Sequence, residues 1–235
     1  MLEVQETPLG HEILNENFYI LFGNSNIDYD NYKDILNARL GETLKFQAVD
    51  QVHGDGVYVC GEESPEQTEA DAILLKEVGQ CGIIKTADCL PIALTNSITK
   101  EAAIVHAGWR GVYNGILLKA LQLFVDQKPE NLKLYIGPHI SFYSYQVGPD
   151  LFNMFAEKFS FLTEGVHFNK DLLSPQHYKL NLQEILITHL ETELGSEIYC
   201  IRSQINTISH PLFHSFREKG EQAGRNLSFL VKRTS

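Results

Sequence analysis

Short apolar runs alternate with polar turns along this chain, and the spacing within the runs separates two kinds of element. Runs at 82–84, 90–94 and 102–105 are short, partly β-branched and bounded by Gly or polar residues, the pattern of buried strands. Stretches at 13–22, 44–52, 57–59, 132–136, 198–201 and 227–231 predict further strands. Helical spacing appears in four places. Val112, Ile116, Ala120 and Phe124 recur at four-residue steps with Leu117 and Leu121 beside them, which predicts one amphipathic helix over 112–125. Leu182, Ile185, Leu186, His189 and Leu190 repeat the pattern ahead of Gly195, a helix stop. Leu151, Phe152, Phe155 and Phe159 follow the helix opener Pro149-Asp150, and a weaker helix over 32–40 closes on Gly41.

Helices scattered among strands without a strict βαβ rhythm predict an α/β fold of the mixed α+β kind, a layered sandwich of mixed β-sheets with flanking helices. The chain has no internal repeat or low-complexity tract. Its richest loop signals, at 61–69 and 172–177, are too short to part domains, so residues 1–235 read as a single domain.

Composition narrows the partners. A hydrophobic fraction of 43% with 10% aromatics supports a sizeable core and excludes a disordered chain. Lys and Arg number 19 against 30 Asp and Glu, and the resulting charge of −11 disfavours nucleic acid and anionic lipid. A small anion stays open, because a few local arginines outweigh a distant negative surface. No run approaches the roughly 18 apolar residues of a membrane helix. Met1-Leu2-Glu3-Val4 lacks the start of a secretion signal, so the expectation is a soluble, cytoplasmic protein with no membrane partner. Cys60, Cys81, Cys89 and Cys200 form no C-x-x-C pair and read as free thiols, mostly buried, with one available as ligand or nucleophile.

The common dinucleotide, nucleotide triphosphate, zincin and α/β-hydrolase fingerprints are all absent. Reactive side chains concentrate instead in QVHGDGV (51–57), TADCLPI (86–92) and HAGWRG (106–111), each at the end of a predicted strand. His53, Cys89 and His106 make a two-nitrogen, one-sulfur set that leaves one tetrahedral position open on zinc and also suits copper. The competing reading is a buried thiol with two satisfied histidines. Arg110, between Gly108 and Gly111 at the predicted helix start, marks either an anion site or a surface Arg near a helix end. Arg217 and Arg225 lie in a segment that is either a solvated loop or the far wall of an anion pocket. His139, after Gly137-Pro138, reads as a turn residue.

These motifs, with IGPHI, the following YQVG, FHSFRE and the later AGR in this order, resemble the YfiH-type family, also called the laccase-domain, polyphenol oxidase or purine nucleoside phosphorylase family, from about 51 to 225. The resemblance implies a single α/β layered domain and metal ligands at His53, Cys89 and His106, usually for Zn2+, with Cu2+ described for oxidase activity. It implies anion-binding arginines at Arg110, Arg217 and, further out, Arg225. The implied partners are a nucleoside and phosphate, and the implied reactions are phosphorolysis of adenosine, inosine and methylthioadenosine together with adenosine deamination. Some members are described as editing peptidoglycan precursors. The chain departs from the pattern at Gln146, where the family commonly has Glu, at Asn206, where it often has Cys, and at His139, where it has a small residue.

On this reading Cys89 and its neighbour Asp88 are catalytic, Asp88 as the nearest proton shuttle, and Arg110 with Arg217 holds phosphate. Asp88 is a candidate despite strand alternation, which turns neighbours to opposite faces. Three alternatives stand beside it: a copper phenol oxidase, a metal-free enzyme with Cys89 as nucleophile and His53 or His106 as base, and a binding module with structural zinc. The missing fourth protein ligand argues against the last.

Overall fold

The strands sort into sheets by the side on which each buries its alternate residues. The computed structural model describes residues 4–41, 43–61 and 68–233; Met1, Leu2, Glu3 and most of the loop signal at 61–69 lie outside them. Chain order begins β1 (Gln5–Thr7), β2 (Gly10–Leu14), β3 (Phe18–Gly23), α1 (Tyr32–Leu40), β4 (Lys45–Ala48), β5 (Val57–Val59), β6 (Ala72–Leu75), β7 (Gln80–Thr86), β8 (Leu90–Asn96) and β9 (Ala102–Ala107). It continues α2 (Trp109–Asn114), α3 (Ile116–Gln122), β10 (Leu132–Ile136), β11 (Gln146–Val147), α4 (Pro149–Lys158), β12 (Phe168–Lys170) and β13 (Tyr178–Leu180). Last come α5 (Leu182–Leu194), β14 (Tyr199–Arg202), α6 (Phe216–Lys219) and β15 (Asn226–Lys232).

One six-stranded sheet has the order β1-β2-β3-β15-β7-β4, and a second has β14-β10-β8-β9-β6-β5. Both are antiparallel inside and end in a parallel pair, β7 with β4 in the first, β6 with β5 and β10 with β14 in the second. Period-two alternation stacks them. Phe18, Ile20 and Phe22 of β3 enter a core shared with Ile73, Ala93 and Ile104 of the second sheet, while Tyr19 and Leu21 face α1. The far face of the second sheet, with Leu90, Ile92 and Leu94, packs on α2 to α5 and on a small sheet ordered β11-β13-β12. The layers therefore run helix, sheet, sheet, helices, the mixed α/β sandwich that the pattern of runs predicts. Among the described residues, no helix is long and apolar enough to cross a membrane.

Local chemistry explains where elements differ from the prediction. The run at 13–22 is a hairpin, because Asn15 Oδ1 accepts the backbone N–H groups of Asn17 and Phe18, both at 2.8 Å, and turns the chain between β2 and β3. The helix over 112–125 is two helices. Gly115 (φ 78°) sits in the left-handed region and ends α2, which itself begins earlier, at Trp109. The stretch at 44–52 keeps strand geometry only over β4. The strands β1, β6, β11, β12 and β13 are not among those the pattern predicts. Prediction and structure agree on α1, with Gly41 (φ 67°) as its stop, and on α5, whose Asn181 cap accepts from the Glu184 N–H at 3.3 Å.

Candidate metal centre and its pocket

The site lies at the seam where the two sheets separate. β7 ends at Thr86 in the first sheet and β8 begins at Leu90 in the second, so the turn Ala87-Asp88-Cys89 crosses between them. His106, 2% exposed, lies opposite Pro91 near the end of β9. His53 comes from the loop between β4 and β5. Both His53 (φ 57°) and Asp88 (φ 95°) hold left-handed backbone, a conformation that costs a non-glycine residue about 1–3 kcal/mol.

The donor atoms of His53, Cys89 and His106 lie within 4.8 Å of one another. Tetrahedral zinc with bonds of about 2.0–2.3 Å sets its donors roughly 3.5 Å apart, so this set fits a metal. Among the described residues it is the one cluster of three or more His, Cys, Asp or Glu side chains placed to do so. Four features hold it. The fully buried Asp71, just before β6, places Oδ1 2.7 Å from His106 Nδ1 and accepts the His53 N–H at 3.0 Å and the Gly54 N–H at 2.6 Å. One carboxylate thus fixes both imidazole-bearing segments and leaves His106 Nε2 to face a metal. Gly108 keeps the site open, since a Cβ there would stand 3.1 Å from Cys89 Sγ and 3.3 Å from the His53 ring, tighter than an ordinary contact. Gly111 gives Gly54 O similar room, at 3.2 Å. Gln51 clamps the end of β7, donating to Lys85 O at 2.9 Å and accepting from Lys85 N at 2.8 Å.

Charge follows from these contacts. Burial raises the thiols of Cys60, to about 12, and of Cys81 and Cys200. Burial acts on Cys89 in the same direction, yet the hydrogen bonds from His106 and His53 more than offset it and bring the thiol down to about 7. His106 is raised despite burial, through Asp71 and Cys89. Of the four free cysteines only Cys89 is therefore poised as a thiolate, the form that binds metal.

A cavity of about 360 Å³ opens over the cluster and gathers Asp88, Arg110, Arg217 and Arg225 around it, together with Lys85, Thr86, Trp109, Tyr145 and Phe216. Arg110 lies 4.5 Å over the Trp109 ring, and Arg217 lies 5.4 Å over Tyr145 while donating to Gln146 O at 3.1 Å. Arg225 is braced by Ala223 O and Gly224 O, at 2.8 and 3.0 Å. Trp109 and Arg110 are the first residues of α2, not the residues ahead of it. With only six residues in that helix, attraction for anions rests on the cations. Asp88 borders the cavity with both oxygens engaged, Oδ1 by the Thr207 hydroxyl at 2.6 Å and Oδ2 by the Arg217 N–H at 2.7 Å. It ties the loops that carry Thr207 and Arg217 to the turn that carries Cys89.

The three departures from the family pattern, His139, Gln146 and Asn206, do not line the cavity. His139 is buried, with Nδ1 2.8 Å from Gly137 O, and desolvation lowers its pKa. Gln146 turns its amide to Asp171, donating at 2.5 Å, where Lys179 Nζ also arrives at 3.0 Å. The site residues missed by the sequence reading are Asp71 and Lys85. Their signals were a lone acid opening an apolar strand and a lone cation closing one, and neither names a partner.

The Gln146 contact carries a pH-dependent prediction. Its amide, and after it Lys179, holds the Asp171 carboxyl below the usual range. Stability from such a depressed carboxyl is present above its unfolded pKa and is lost as pH falls through the folded value. Gln146→Glu presses a second carboxylate against the first, and the two cannot both ionise so close together. The melting temperature of the variant falls at neutral pH, and the deficit narrows on acidification to about pH 4, where the pair shares a proton. A deficit constant with pH, read by thermal melts across that range, would show that only the shape of the amide matters.

Residues 25–233 match the family model described as multi-copper polyphenol oxidoreductase laccase. The chain is 30% identical over 187 residues to a purine nucleoside phosphorylase, YfiH, of Shigella flexneri, covering 77% of this chain and 72% of that one. It is 27% identical over 224 residues to a purine nucleoside phosphorylase of Clostridium acetobutylicum, covering 94% and 88%. Among solved structures, the Bacillus licheniformis hypothetical protein YfiH aligns with a TM-score of 0.83 at 17% identity over 98% of this chain and 99% of that one. YlmD from Geobacillus stearothermophilus aligns with a TM-score of 0.81 at 20% identity, over 99% and 100%. At these identities the two structures bear on the fold alone.

Proposed function

The chain belongs to the multi-copper polyphenol oxidoreductase laccase family, and from that premise we propose that it is a metal-supported purine nucleoside phosphorylase, splitting adenosine, inosine and methylthioadenosine with phosphate and also deaminating adenosine. The observation that carries this reading is the pocket, which sets the His53, Cys89 and His106 cluster beside Lys85, Arg110, Arg217 and Arg225. Among the described residues none of these four cations forms an ion pair. The names of the Shigella and Clostridium relatives support it. Oxidation of a phenol would leave four unpaired cations without a task.

Zn2+ is the proposed metal, and the same donors suit Cu2+. Such an ion, when bound, supplies a Lewis acid and lowers the pKa of a coordinated water. The remaining work belongs to the chain. Arg110, Arg217 and Arg225 hold a phosphate dianion, with guanidinium forks matched to its oxygens. A phosphate oxygen bonds to the ribose anomeric carbon as the carbon–nitrogen bond to the base breaks, and the base leaves with the electron pair and takes up a proton. Trp109, Tyr145 and Phe216 offer ring faces to the purine and exclude water from the reacting atoms. Asp88 keeps these walls in register through its bonds to Thr207 and Arg217, and the second lone pair on each oxygen leaves it able to carry a proton.

Elemental analysis of the purified protein, joined to a nucleoside panel with and without phosphate, tests the reading. The expected result is about one metal per chain and hypoxanthine released from inosine only when phosphate is present. Arg110→Ala raises the phosphate KM on the order of tenfold, the loss of one charge-assisted contact of roughly 1.5 kcal/mol. Base release at the same rate without phosphate would make the protein a hydrolase. Dye oxidation after copper loading with no base release would return it to the oxidases.

A further inference from the structure

We infer that Asn226, which does not line the pocket, is a positioning residue for phosphate binding and sets Arg217 at its distance from Arg225. The inference rests on the phosphorylase reading and concerns what keeps two of its anion-holding side chains in place.

Arg225 and Asn226 are consecutive where the chain enters β15, and side-chain alternation turns them opposite ways. Arg225 lines the cavity. Asn226 is 3% exposed and shares its face with Ser228 and Leu230, the latter part of the core between the sheets. Its amide spans the main chain of His214. Oδ1 accepts the His214 N–H at 2.8 Å, and Nδ2 donates to His214 O at 2.9 Å. One side chain thus joins the segment before α6 to β15 as a neighbouring strand would. Ser215 follows, fully buried, and its hydroxyl accepts the Glu218 N–H at 3.2 Å. That cap fixes the direction in which the chain turns into α6, and Arg217 leaves from its first turn into the cavity.

The His214 ring completes the clasp from the other side. A Cβ at Gly224 would stand 2.6 Å from ring atoms Cε1 and Nε2, so the ring lies directly on the residue before Arg225. Such a clasp answers an electrostatic need. Two guanidinium groups that converge on one phosphate repel each other until it arrives, and neither is paired with a carboxylate among the described residues. Their spacing must therefore be imposed by the backbone that carries them. Arg225 is braced by its own loop, through Ala223 O and Gly224 O. Arg217 is tied to the turn that carries Cys89 through Asp88, at 2.7 Å, and to β15 through the Asn226 bonds to His214. Of these ties, the Asn226 bonds are the ones that run to the strand carrying on from Arg225.

Asn226→Leu keeps the size of the side chain and removes both bonds without adding a charge. Calorimetric titration with inorganic phosphate, on the full chain, compares wild type, Asn226→Leu, Arg217→Ala and the double variant. Asn226→Leu weakens phosphate binding about fivefold, the effect of misplacing one contact. The phosphate KM rises in step, while the inosine KM stays within about twofold of wild type. In the Arg217→Ala background the same substitution costs less than about twofold, because the side chain it positions is gone. An undiminished loss in that background, or wild-type phosphate affinity in a folded Asn226→Leu protein, overturns the assignment. Because titration needs no turnover, the two readings fail separately. A cycle that closes as expected in a protein releasing no base from inosine defeats the phosphorylase reading and leaves the clasp standing. Phosphate-dependent base release with unchanged phosphate affinity in Asn226→Leu does the reverse. Asn226→Ala, which cannot overpack the site, replaces Asn226→Leu in the same cycle if the latter misfolds.

Discussion

His106→Ala protein carries no stoichiometric metal and releases base at a rate lower by a factor on the order of 10³. The variant loses the one ligand whose far nitrogen is fixed by Asp71, at 2.7 Å. Two remaining donors fall short of the three that a catalytic zinc site draws from its protein. A Lewis acid in such a site contributes several kcal/mol, and each 1.36 kcal/mol is a factor of ten in rate. Elemental analysis reads the first consequence and a nucleoside assay the second. The fold survives, because Asp71 keeps the N–H groups of His53 and Gly54 as donors and is not left an orphaned buried charge. Asp71→Asn is the graded companion: it disturbs the orientation of His106 without removing a ligand, and metal affinity falls roughly 10- to 100-fold. Full metal occupancy and wild-type turnover in His106→Ala would take the cluster out of the reaction.

Gly137→Ala lowers stability by about 3 kcal/mol, the upper end of the range for overpacking a core. A Cβ at this position would lie 2.4 Å from Cγ and Cδ1 of Phe22 and 3.0 Å from its Cβ. These atoms are the root of the ring rather than a mobile tip, and Phe22 is held in the core between the sheets at 3% exposure. The backbone cannot retreat either, since Gly137 N–H donates to Pro91 O at 2.9 Å and ties the end of β10 to the start of β8. Denaturant titration measures the loss. In a Phe22→Ala background, itself destabilised by about 3–5 kcal/mol, the added Gly137→Ala change costs less than about 1 kcal/mol, because the two nearest colliding atoms, Cγ and Cδ1, are gone. An undiminished cost there would place the collision elsewhere. The Gly in IGPHI is thus a packing requirement between sheets.

What could be read from the sequence follows from the range of the forces that fix each feature. The period of apolar residues located most of the long strands and the helices α1, α4 and α5, since burial of one face is written locally. The run at 13–22 concealed its turn because Asn15, Glu16 and Asn17 interrupt it by side-chain bonding to the backbone rather than by Gly or Pro. The cluster of His53, Cys89 and His106 was legible through its motifs. Asp71 was not: its role arises from the pairing of β6 with β9, which sets Ala72 opposite Val105 and so brings the acid beside His106. Lys85 was hidden likewise, for it meets the segment that carries Arg225 only through the pairing of β7 with β15. Spacing along the chain carries no record of register between distant strands.

The place of β15 between β3 and β7 has a consequence for how the protein is made. Every other element described is synthesised before it, so on the ribosome β3 and β7 wait with facing edges unpaired and rich in apolar residues. Such edges are templates for wrong partners until residues 226–232 arrive to pair with both. Arg225 emerges with that strand, and so the pocket gains its full charge only when the first sheet closes. Translation thereby imposes a timer, under which the ligand loops exist early and the competent site appears last.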